Sequence, residues 1–177
     1  MENKPNVWKS GMNFGALLGL AMVIYSLIVW FLDATNNTTA NIISWAIMLG
    51  GIVYAMIYYR NTVLGRTMTY GQSVGIGTLT AFFASIISGF FTFILIKYID
   101  PGIMEEAMLT MEETMLERGM DPDMVEQQME LSARFTGPLS TLLMSVFGGT
   151  LIGLIFSLIA SIFTKREPNP FEEGTNQ

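Results

Sequence analysis

The sequence predicts an all-α membrane protein: four transmembrane helices, with an extracytoplasmic helical hairpin between helices three and four. Three observations lead there. Four uncharged apolar segments punctuate the 177 residues, each close to the length of about 20 residues that a helix needs to cross a hydrocarbon core of roughly 30 Å. Charged residues make up only 14% of the chain, against about 25% in ordinary globular domains, and the mean hydropathy is +0.45. The charges are also segregated, because residues 100–134 hold ten of the fifteen acids.

The first span covers about residues 10–32, with Trp8 and Trp30 near its ends. Its apolar run exceeds the roughly 7–15 residues of a signal-peptide core, and no small-x-small cleavage pattern follows Leu32, so it is expected to be retained. The second span, about 42–59, is the shortest and carries Trp45, Tyr58 and Tyr59. The third, about 70–99, lies between Tyr70 and Tyr98. Aromatic rings at such ends suit the membrane–water interface. Gln72 and Ser73, the most polar pair near a span, are expected at that interface. Gly137-Pro138 opens the fourth span, 138–164, with proline where a helix tolerates it best. The polar residues 165–177, with two prolines, are expected to be a disordered cytoplasmic tail.

Orientation follows from the basic residues. Lys4, Lys9, Arg60, Arg66, Lys165 and Arg166 fall on the side of the termini, whereas the other side has Lys97, Arg118 and Arg134. Six against three, with the six close to helix ends, predicts cytoplasmic termini by the positive-inside rule.

Small residues recur at every fourth position on the spans. Gly11, Gly15 and Gly19 form one stripe, and Ala46 with Gly50, or Gly51 with Ala55, another. The third span has Gly77, Ala81, Ser85 and Gly89, and the fourth has Ser145, Gly149, Gly153, Ser157 and Ser161. Such faces let backbones approach closely, which is how helices associate in lipid. Periodicity alone leaves open whether these faces close a bundle or join copies in a homo-oligomer.

Residues 100–137 read as an acidic hairpin, and the ten acids and two arginines of residues 100–134 give that stretch a net charge of −8. Asp100-Pro101 and Asp121-Pro122 each look like a helix N-cap followed by proline, and Gly119 is placed to end the first helix. Met104, Met108, Met111 and Met115 make a helical stripe; Met124, Gln128 or Met129, Leu131 and Phe135 are the inward candidates of the second helix. Methionine fills irregular seams and also makes adaptable binding surfaces. Its thioether is also a soft ligand for copper(I). Without His or Cys to support a metal, the seam is the expected use, and Met104, Met108, Met111, Met115, Met124 and Met129 are the candidate binding residues if a partner docks there.

The chain has no Cys and no His, which excludes Ser-His and Cys-His catalysis and the usual zinc sites. No Asp, Glu, Lys or Arg lies inside the apolar stretch of a span, Lys97 falling at the outer end of the third, which argues against proton-coupled transport. Asp33 and Asp100, at outer helix ends, are the one carboxylate pair suited to sharing a proton, and each also suits a helix-end role. No catalytic residue, cofactor, metal or nucleic acid is expected. The expected partners are the bilayer and an envelope protein; the alternative function is a small transporter or channel component.

Several stretches resemble one family. They are Tyr59-Arg60, Met68-Thr69-Tyr70-Gly71-Gln72, Tyr98-Ile99-Asp100-Pro101, the Glu-rich segment with Gly119, Pro138, and Gly153-Leu154-Ile155 with Ser161-Ile162-Phe163-Thr164-Lys165-Arg166. In these the chain resembles DUF4199, a family of small bacterial membrane proteins of unknown function. The resemblance implies a bacterial inner membrane location and supplies no catalytic residues.

Overall fold

In the computed structural model, residues 6–35, 37–135 and 137–166 are described. They form α1 (Val7–Phe31), α2 (Thr38–Tyr58), α3 (Tyr70–Ile94), α4 (Gly102–Glu117), α5 (Pro122–Phe135) and α6 (Pro138–Thr164). Five-residue π-helical turns, Tyr59–Val63 and Leu95–Ile99, prolong α2 and α3. Four helical stretches are long and apolar enough to cross a membrane: Val7–Phe31, Thr38–Val63, Tyr70–Ile99 and Pro138–Thr164. The expected tail lies outside the described residues from 167 onward.

The second span differs from expectation: it has 26 residues and is not the shortest. Its helix continues through Thr38–Asn41 at one end and Arg60–Asn61 at the other, polar residues that an apolarity criterion discards. Asn37 fixes its start by accepting the Thr39 N–H at 2.8 Å. Asn6 caps α1 in the same way, through the Trp8 N–H. At the start of α3, Thr69 and Gln72 close a reciprocal capping box. α1 ends on Asp33, whose φ of 51° is the left-handed conformation usually left to glycine. The following amide, Ala34 N–H, then reaches back to the Val29 carbonyl at 3.0 Å.

Burial is inverted relative to a water-soluble domain. The outer surface of the four long helices carries large apolar side chains, with Phe31 84% and Phe163 81% exposed, while Ser73, Thr80, Ser85, Ser157, Ser161 and Thr164 are buried. Lipid accepts the apolar side chains. The interior is held by close backbone approach and hydroxyl contacts, because lipid tails offer helices no hydrophobic drive to associate.

α3 is the hub, and it packs most extensively on α6 and α1. Against α1 it runs parallel: Leu79 sits over Gly11, Phe83 over Gly15 and Ile87 over Gly19. Against α6 it runs antiparallel, pairing Gly77 with Ser157, Ala81 with Gly153, Ser85 with Gly149, and Gly89 with Ser145. The stripes on α1, α3 and α6 therefore all face inward within one chain. On α2 the face in use is that of Gly51, which receives Leu18, whereas Gly50 meets nothing within 4 Å. The buried residues of α2, namely Ile52, Ala55 and Met56, all lie in its second half.

At the end of the bundle nearest the termini, α6 is clasped three times. Arg60 donates to the Thr164 carbonyl at 2.9 Å, satisfying a helix-terminal acceptor. Met68 and Arg166 exchange two backbone hydrogen bonds, of 2.8 and 2.9 Å. The Ser73 and Thr164 hydroxyls meet at 2.7 Å. Ser73 is thus fully buried, because α6 ends on a hydroxyl that matches it. Thr164→Val removes this pairing with little change of shape and is expected to cost about 1 kcal/mol. Ser157→Ala should cost less, since the Ser157 hydroxyl has no hydrogen-bond partner among the described residues. Equilibrium unfolding in mixed micelles checks both; equal losses would show that the pairing is not what stabilises this end.

Candidate functional site

α4 and α5 stand beyond the end of α3, and their most extensive contacts are with each other and, through α4, with the Leu95–Ile99 turn. The junction is held by Asp100. Its Oδ2 accepts the Trp30 indole N–H at 3.0 Å, and its Oδ1 accepts the Gly102 N–H at 3.2 Å. α4 begins one residue later than Asp100-Pro101 implied, at Gly102. Proline has no N–H, so Gly102 is the first amide available to the carboxylate. Both oxygens of Asp100 therefore serve the junction, and Asp33 serves the end of α1.

α4 ends as its glycine implies. Gly119 adopts φ 77°, its N–H reaches the Leu116 carbonyl at 2.9 Å, and the Met120 N–H reaches Met115 at 3.2 Å. This double closure is the Schellman arrangement. Asp121 then starts α5 by accepting the Asp123 N–H at 2.9 Å.

Of the methionine stripe on α4, Met104, Met108 and Met115 are half-buried, whereas Met111 is exposed beside Leu109 and Leu116. Ala107, Thr110, Met111, Thr114, Met115 and Arg118 line an open hollow of about 350 Å³. On α5 the inward face differs from expectation. Val125 is buried, at 3% exposure, and Met129 is half-buried, but Met124 is 56% exposed and Leu131 and Gln128 are also exposed. The helix is phased on Val125 and Met129, one turn apart, which turns Met124 and Leu131 outward. The side chain of Phe135 lies outside the described residues. Among the described residues, no three acids come together as metal ligands would.

Reading the sequence missed the Trp30–Asp100 link. A signal existed: an indole N–H near a membrane interface needs an acceptor, and Asp100 is a carboxylate at the same side of the membrane whose cap role leaves one oxygen unused. The choice of Val125 over Met124 had no such signal, because both lie in one apolar pair.

These features define the class: an α-helical membrane protein with four spanning helices and two acidic, methionine-rich helices between the third and the fourth. The family model described as "Protein of unknown function (DUF4199)" matches residues 13–166. The chain belongs to that family. No curated protein and no solved structure matches it.

Proposed function

We propose that this protein is a non-enzymatic assembly or accessory factor of the bacterial inner membrane, with both termini cytoplasmic, that presents α4 and α5 as a hairpin to an envelope partner. The observation that carries the reading is the surface of these two helices. Leu109, Leu116, Met124 and Leu131 stand exposed among ten acids, on elements with few ties to the bundle. Exposed apolar side chains within a net charge of −8 fit a partner face that is itself apolar and edged with lysine or arginine. The neighbouring bilayer surface, with its anionic headgroups, repels the same charge. The half-buried methionines add a surface that can adapt its packing to a partner.

Photo-crosslinking residues placed at positions 109 and 131 of the intact protein in native membranes test this. The expected result is one protein adduct at both positions, reduced several-fold when Glu105, Glu106, Glu112 and Glu113 are changed to Gln. Adducts to lipid alone, or adducts indifferent to the four glutamates, would overturn the reading. Transport through the bundle would then take its place.

A further inference from the structure

A cavity of about 270 Å³ lies between α1, α2 and α3, in the half of the bundle away from the termini. Beside it the Tyr25 hydroxyl of α1 donates to the Ala40 carbonyl in the first turn of α2 at 2.8 Å, which ties the two helices together.

The walls are part polar and part apolar. Ser26 of α1, Asn41 and Ser44 of α2, and Ser88 and Thr92 of α3 line the cavity. Ser88 and Thr92 donate to carbonyls one turn back on their own helix, at 2.9 and 3.0 Å, which leaves their oxygens able to accept from an occupant. Asn41 and Ser44 are three residues apart and so share one face of α2. Met22 and Phe91 supply an apolar side. No charged residue lines the cavity among the described residues. The cavity opens near the α1–α2 connection, where Thr35 and Asn41 are exposed, and a charged occupant would find no counter-charge among its lining residues.

We infer that this cavity is a binding site for a small uncharged molecule that carries a hydroxyl or amide group on an apolar body. Asn41 and Ser44 bond its polar end, and Met22 and Phe91 pack its apolar side. The site is independent of the role assigned to α4 and α5. It draws on none of their residues.

The test uses the full chain in phosphatidylcholine nanodiscs and a short aliphatic alcohol bearing a diazirine. On photolysis, adducts are expected on Tyr25, Ser44 or Phe91, and an excess of the parent alcohol should displace them. Ser44→Leu fills the cavity and should lower labelling there about tenfold. An otherwise identical ammonium probe should leave the cavity unlabelled. Adducts confined to lipid-facing residues such as Phe147 and Phe163, or cavity adducts that the parent alcohol does not displace, would overturn the proposal and leave a water-filled gap. Equal labelling by the ammonium probe would overturn the assignment to uncharged ligands. Competition on the unaltered chain decides the matter even if Ser44→Leu folds poorly.

Discussion

Gly15→Val should detach α1 from α3, with a loss of about 3 kcal/mol, at the upper end of what overpacking usually costs. A Cβ at residue 15 would meet the Phe83 Cβ, and would lie 2.8 Å from the Thr80 carbonyl oxygen and 3.2 Å from the Ala84 nitrogen. The last two are main-chain atoms of a helix and cannot step aside without breaking its hydrogen bonds. Gly50→Val is the control, since nothing lies within 4 Å of that position; its effect should stay within about 0.5 kcal/mol. Gly51→Ala falls between the two, because the obstacle is the far end of the flexible Leu18 side chain. Thermal unfolding in detergent separates the three. A Gly15→Val protein as stable as Gly50→Val would mean that α1 does not lie on α3 in this register.

The second large effect is at Gly153, where the opposing atom can be removed. A Cβ there meets the Cβ of Ala81 across the α3–α6 interface, with Met48 Cε at 3.3 Å. Gly153→Ala is expected to cost about 2 kcal/mol. Ala81→Gly alone should cost about 1 kcal/mol through the helix propensity of glycine. Together they exchange small for large across the same contact, so the double variant should be more stable than the sum of the two losses predicts. The coupling expected for directly touching residues is about 0.5–3 kcal/mol. Strict additivity in a double-mutant cycle would show that the two positions do not touch.

Much of the fold is legible in the sequence because lipid imposes simple rules. Long uncharged segments must be helices, and their close contacts must be made by small residues. The stripes at Gly11, Gly15 and Gly19 and from Gly77 to Gly89 are visible on that ground alone. What they touch is not, since a stripe carries no information about its partner. The pairing came from register: α3 offers residues 79, 83 and 87 to α1, and on another face residues 77, 81, 85 and 89 to α6. The length of α2 was hidden for the opposite reason. Thr38–Asn41 and Arg60–Asn61 are helical through capping and backbone geometry, and apolarity does not register either. On α4 and α5, caps and the terminating glycine were readable because each is a local interaction. The inward choice of Val125 depends on where α4 lies, which no local pattern encodes. The cavity was invisible for a similar reason: Ser26, Ser44 and Ser88 are unremarkable serines until three helices bring them together.

The central position of α3 sets a timetable for biogenesis. Gly15 and its partner Phe83 are separated by the intervening 67 residues of chain. At the usual synthesis rates of about 5–20 residues per second, roughly 3–13 s pass between the emergence of the one and the other. During that interval α1 is in the membrane with its glycine groove open, and only the half-engaged α2 is at hand to cover it. α6 arrives later still, and must find the opposite face of α3 already in place. A nascent chain stalled before residue 70 therefore exposes a ready-made helix-binding groove to whatever shares the insertion site, whether a chaperone or a second unfinished copy.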